Sequence, residues 1–311
     1  MNAPVLVFDI ETIPDISHAK HLYAELADLP DDEALPLLLA KYQEETGKTF
    51  LPLPLHRVAC LSVLWVQKGN MTLKSLALPE YHEADILRKF FASLDRTPTL
   101  VSWNGRGFDL PVMTYRALHH GISGGKLFHQ SGDMKYNNYQ HRYHDRHIDL
   151  MTRLAASSTI QKLDVVASLC GFAGKQDITG YDVLPMVQAG EWQKLTTYCE
   201  SDVINTWLVY LRYQRLLGQL SGEHLAQWEA KTRDYLHTLK NTDGSARHDK
   251  FLDAWGGVNQ ARDNPHTDTA TAEPTHHALE DATSPPSDVP SDAINQQTQA
   301  LEHTTTNAHA I

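Results

Sequence analysis

Apolar and polar positions fall into runs that name most elements of the chain. Val5-Leu6-Val7-Phe8 is an unbroken apolar run, and it continues through Asp9-Ile10-Glu11-Thr12 as a first strand. Residues 14–56 form a long connection, with a helical pattern in DDEALPLLLAKYQEE and a breaker cluster in LPLPLH. VACLSVLWVQ and NMTLKSLAL are β-rich and separated by Lys68-Gly69, which predicts a hairpin. EYHEADILRKFFASLD has helical spacing and TLVSW reads as a short strand. NGRG breaks that strand, and FDLPVMTYRALHHG is a helix ending at Gly121. HIDLMTRLA, IQKLDVVASLCG, YDVLPMVQAG and EWQKLTTYCESDVINTWLVYLRYQRLLG predict a helical second half, extended by HLAQWEAKTRDYLHTL. Strands followed by helices and another short strand indicate an α/β layer fold.

Two stretches break the pattern. Residues 124–147 are rich in Gly, Tyr, Asn and His and read as a loop excursion. Residues 261–311 hold eight acidic side chains, one basic side chain and no aromatic residue. They contribute −7 of the net charge of −11, so the other 260 residues carry only −4. Such a segment lacks the apolar area to offset its ordering entropy. The expected organisation is therefore a folded domain over 1–244 and a disordered acidic tail over 245–311. With the charge concentrated there, the acidic balance does not exclude a nucleic-acid partner. No apolar run reaches the ~18 residues of a membrane helix, so no membrane partner is expected. The N-terminus lacks the pattern of a secretory signal, and Cys60, Cys170 and Cys199 give neither a disulfide framework nor a zinc pattern. Both features predict a cytoplasmic protein.

The chemistry lies in carboxylates. A strand alternates faces with period two, so Asp9 and Glu11 point the same way and repel unless a cation joins them. Asp109 follows a strand and a Gly-rich turn, at the start of a helix, where negative charge is favoured. Tyr198 and Asp202 are four apart on a predicted helix and share a face. That face borders an apolar stripe of Leu195, Cys199, Val203 and Trp207. A mid-helix carboxylate beside a core stripe needs a base or a metal as partner. Oxygen-rich sites of this kind favour Mg2+ or Mn2+, and two such ions suit phosphodiester hydrolysis.

At this point the chain resembles the DEDD 3'-5' exonucleases, which have the ribonuclease H-like three-layer fold with a central mixed β-sheet. Asp9-Ile10-Glu11 matches their first motif and Asn104 to Asp109 (NGRGFD) their second. Tyr198 to Asp202 (YCESD) matches the third motif of the tyrosine subgroup, DEDDy. The likeness extends over roughly residues 4–217, and it is greatest to stand-alone predicted exonucleases related to the proofreading domain of family B DNA polymerases. It implies release of nucleoside 5'-monophosphates from nucleic-acid 3' ends, single-stranded ends first and DNA somewhat ahead of RNA. It also implies roles. Asp9 would bridge two ions, Glu11 and Asp202 would help hold the water-activating ion, Asp109 would bind the second, and Tyr198 would orient the water. Asn104 and Phe108 would shape the substrate cleft, with Thr12 and Ile13 bordering the terminal nucleotide. Asp149 would take an N-cap or supporting role. Lys162 and Lys175 are candidate phosphate contacts.

The excursion YNNYQHRYHDRH interleaves tyrosines with Arg142 and Arg146, a pattern suited to stacking bases and meeting phosphates. A plain polar loop is the alternative, and a zinc site is a rival whose spacings match no zinc motif. Two other functions compete with the nuclease. One is a non-catalytic nucleic-acid binding module with a vestigial site, and the other a metal-linked structural or interaction protein.

Overall fold

A computed structural model describes residues 3–174 and 178–262. Five strands form one mixed sheet: β1 (Val5–Pro14), β2 (His56–Gln67), β3 (Asn70–Ala77), β4 (Thr99–Ser102) and β5 (His147–Asp149). Their order is β3-β2-β1-β4-β5. β1, β2 and β3 pair antiparallel, while β4 and β5 continue the sheet in parallel with β1. The turn from β2 to β3 uses Lys68 and Gly69 with φ of 49° and 80°, the left-handed pair that suits a two-residue hairpin.

Alternation along β1 divides the molecule into layers. Leu6, Phe8 and Ile10 face a core built with α3 (Glu83–Ser93) and α4 (Asp109–His120). Val5 and Val7 face the opposite core, dominated by α8 (Trp192–Leu216). The predicted α8 stripe is borne out: Leu195, Cys199, Val203 and Trp207 are all fully buried. Around α8 lie α5 (Leu150–Ala155), α6 (Leu163–Leu169), α7 (Val183–Gln188) and α9 (Gly222–Thr238). The result is an α/β fold with a central mixed sheet and a mostly helical second half, a ribonuclease H-like arrangement. Among the described residues no helix is long and apolar enough to cross a membrane.

Three elements differ from the sequence reading. The connection after β1 holds α1 (Ile16–Leu22) as well as α2 (Asp31–Thr46). Ala19, Leu26, Ala34, Leu38, Leu51 and Leu55 give this connection a small core of its own. The first three residues of HIDLMTRLA are strand β5, because pairing with β4 buries them, and only the remainder is helical. The folded unit also continues past residue 244. Helix α10 (Asp249–Arg262) inserts Phe251, Leu252 and Trp255 into the α8 core, so burial outweighs the polar composition around them. The acidic stretch from 263 onward lies outside the described residues.

Candidate active site

β4 runs beside β1 only from Val5 to Val7. Beyond that point β1 continues with β2 on one side, and the Ile10 amide on its free side donates to Asp109 Oδ1 at 3.1 Å. The first and second motifs thus meet where the parallel half of the sheet ends, the place where open α/β sheets bind ligands. Asp9 and Glu11 share the face of Val5 and Val7 and look toward α8. There the Cys199 thiol donates to the Asp9 carbonyl (3.5 Å) and to Asp9 Oδ2 (3.6 Å). Tyr198 and Asp202 lie one turn apart along α8, and the phenol acts to lower the Asp202 pKa.

A tight turn aims Asp109. Asn104 has φ +64°, and a Cβ on Gly105 would collide with the Ser102 side chain. Buried Asp149 accepts from the amides of Asn104 (3.1 Å) and Arg106 (2.9 Å), so β5 braces the turn from the next strand. This is a supporting role rather than a helix cap, since Asp149 makes no capping hydrogen bond to α5.

The electrostatics are those of crowded anions. Burial, then Asp109, Glu11 and Asp202, hold the Asp9 pKa well above the usual carboxylate range. Burial and Asp202 do the same to Glu11. Asp109 is pushed up to about 7, by burial and then by Asp149 and Asp202. Asp202 is also pushed up to about 7, by burial and then by Asp164. Among the described residues none of the four forms an ion pair. Four clustered carboxylates without a cationic side chain fit a divalent-cation site. Ligand atoms of Asp9, Glu11 and Cys199 lie within 4.8 Å of one another, which makes this trio a candidate metal group. Burial pushes the Cys199 thiol up, so in the metal-free site it serves Asp9 as a donor. Cys60, opposite Glu11 on β2, adds to the rise of the Cys199 pKa. Sequence reasoning placed Cys199 on the α8 stripe but missed its contact with Asp9 and missed Cys60, because only the folded pairing of β1, β2 and α8 brings them together.

A stability signature follows from these values. Between 3.8 and about 7 the folded, metal-free protein keeps protons on Asp109 and Asp202 that the unfolded chain has released. The contribution of this pair to stability is fully present below that window and falls as pH rises through it, against that of His147, which burial holds well below the usual histidine range and which gains as pH rises toward 6.5. Melts in chelator are expected to show the Tm of an Asp109→Asn/Asp202→Asn variant gaining on the wild type from about pH 4 to pH 7. A difference in Tm that does not change with pH would overturn carboxylate crowding as its cause.

The expected substrate residues divide. Thr12 Oγ1 bonds His56 Nδ1 at 2.9 Å, and Phe108 meets the His56 ring edge-on at 5.5 Å, so both stand on the carboxylate end of β1. Ile13, also at that end, packs against the cluster containing Leu195 and Cys199. Asn104 forms the turn. Lys162 lines a cavity of about 640 Å³ that also takes in Tyr198 and Asp202, whereas Lys175 lies outside the described residues. Arg142 and Arg146 line no part of that cavity. The Arg146 guanidinium donates to the carbonyls of Thr97 (2.9 Å) and Asn137 (3.3 Å), at the end of β4 remote from Asp109. Arg142 is exposed over the Tyr143 ring. The excursion is a braced loop, anchored by fully buried Tyr139, whose hydroxyl donates to Pro98 O at 2.7 Å. Arg106 ties the same loop to the motif turn through the carbonyls of Gln140 and His147.

No curated protein matches the chain. A solved structure of the family B DNA polymerase from the hyperthermophilic archaeon Pyrobaculum calidifontis aligns at 18% identity and a TM-score of 0.43, covering 76% of this chain. The chain spans 29% of that polymerase. Residues 48–255 match a family described as predicted 3'-5' exonucleases related to the exonuclease domain of PolB. That stretch holds β2 through most of α10, with Asp109, Tyr198 and Asp202, and β1 precedes it. The chain belongs to this family of predicted 3'-5' exonucleases.

Proposed function

We propose that this protein is a divalent-metal-dependent 3'-5' exonuclease of the DEDDy type, releasing nucleoside 5'-monophosphates from nucleic-acid 3' ends. The observation that carries this reading is the meeting of Asp9, Glu11, Asp109 and Asp202 beside Tyr198, with no cationic side chain among the described residues paired to any of them. Asp9 would bridge two Mg2+ or Mn2+ ions, with Glu11 and Asp202 holding one and Asp109 the other. Such ions supply activation of water and stabilisation of the leaving 3' oxygen. Burial and then Asp202 push the Tyr198 phenol up, so it remains a neutral donor, suited to orienting a water against the carboxylates. DNA is the preferred polymer over RNA in this reading, given the relation to a DNA polymerase domain. The buried thiols of Cys60 and Cys199 accord with a cytoplasmic setting. The test is incubation of end-labelled single strands with purified protein in Mg2+ and in Mn2+. Stepwise shortening from the 3' end with monophosphate products is expected. Folded protein that shortens nothing in either metal would sink the proposal.

A further inference from the structure

Two exposed aromatic rings border the cavity beside Tyr198 and Asp202. Phe50 is 58% exposed and Tyr181 is 86% exposed, and both line this cavity together with Lys162. Phe50 belongs to the connection between β1 and β2, just past α2. One face of its ring is stacked on His56 at 4.8 Å, and its edge meets Phe108 at 5.7 Å. His56 is itself fixed, by Thr12 Oγ1 at 2.9 Å and the Leu51 carbonyl at 3.1 Å. Phe50 is thus backed by a rigid ring while more than half of it remains open. Tyr181 sits in a short turn held by Thr179, whose amide and hydroxyl both reach Asp182 Oδ2, at 2.7 and 2.8 Å. Among the described residues the Tyr181 side chain has no hydrogen-bond or ring partner. Lys162 is exposed and unpaired among the described residues, and it borders the same space.

An exposed ring next to a phosphodiester-cleaving site offers a nucleobase a stacking surface that tolerates any sequence. A base held this way has left its partner strand. We propose that Phe50 and Tyr181 form a stacking clamp for the last bases of the substrate, that Lys162 meets the adjoining phosphate, and that the clamp selects unpaired 3' ends. This rests on the nuclease reading above and adds the residues that set strand selectivity.

The probe is a 12-nucleotide DNA carrying 2-aminopurine at its 3' terminus, as a single strand and as a blunt duplex. Binding of the full chain is followed by fluorescence in Ca2+, and cleavage is followed in Mg2+. For the wild type, stacking should quench the single strand strongly and the duplex weakly. Phe50→Ala and Tyr181→Ala should each lose quenching and raise KM for unpaired ends by roughly 5- to 100-fold. Phe50→Trp should restore both, and the preference for unpaired over blunt ends should shrink in the alanine variants. Both side chains are exposed, so melts of the variants should match the wild type. Unchanged quenching and KM in the double alanine variant would overturn the clamp while cleavage leaves the nuclease intact. An equal loss on duplex and unpaired ends would overturn the selectivity. Normal quenching without any cleavage by the wild type would remove the nuclease reading and leave the stacking surface.

Discussion

Asp9→Ala is expected to reduce single-turnover cleavage by roughly 10³-fold or more, while the metal-free protein melts no earlier than the wild type. The two halves of this expectation share one cause. Asp9 is the carboxylate that feels Asp109, Glu11 and Asp202 together, so removing it takes a ligand from both proposed ions and relieves the most crowded point of the cluster. Asp202→Ala should behave alike, since its raised pKa marks the same cost of burying negative charge. Tyr198→Phe is the subtler change. It keeps the ring and loses the hydroxyl beside Asp202, so turnover should fall by roughly 10²-fold with binding in Ca2+ retained. Full activity in Asp9→Ala would end the two-metal assignment. Full activity in Tyr198→Phe alone would leave the carboxylates standing and reduce the tyrosine to packing.

Two truncations should part sharply. A chain ending at residue 244 is expected not to fold, whereas one ending at residue 262 should melt like the full protein and keep its activity. The shorter chain loses Phe251, Leu252 and Trp255 from the core on α8. Emptying such sites costs about 3–5 kcal/mol for each large aromatic, against a total stability of about 5–15 kcal/mol. It also loses Arg247 and His248, which reach Glu200 at 3.1 and 3.0 Å. Burial works to raise the Glu200 pKa, but His248, Ser75 and Arg247 together hold it below the usual value, so the fold depends on those partners. Stripping partners from a buried charge adds about 3–5 kcal/mol. Circular dichroism and melts of the two proteins decide the matter: a folded 1–244 chain would show that α10 is an accessory.

How far the sequence can be read depends on whether a feature is local. The hairpin at Lys68-Gly69 and the α8 stripe were legible because each obeys a period set by its own backbone. The pairing of Tyr198 with Asp202 was legible for the same reason. Strand β5 was not, because three residues give no alternation to count and the helix behind them supplies its own. Helix α10 was masked by composition: the apolar spacing of FLDAW was present, but averaging over the acidic stretch hid it. Arg146 looked like a phosphate contact, since a guanidinium bound to backbone carbonyls has no signature that separates it from a free one. Cys60 and Cys199 were read as scattered, and they are 139 positions apart until β2 and α8 bring them together.

β1 changes character within two steps along one face, from Val7 in the core to Asp9 beside α8. That makes the strand intolerant of a change in length. One residue inserted between Val7 and Asp9 would carry both carboxylates to the other side of the sheet, against Phe90 and the α3–α4 core, and turn Ile10 toward the cleft. An insertion of two would restore the facing but move the carboxylates roughly 7 Å along the strand, past the amide that now meets Asp109. Point substitution can explore this strand one side chain at a time, but insertion and deletion cannot.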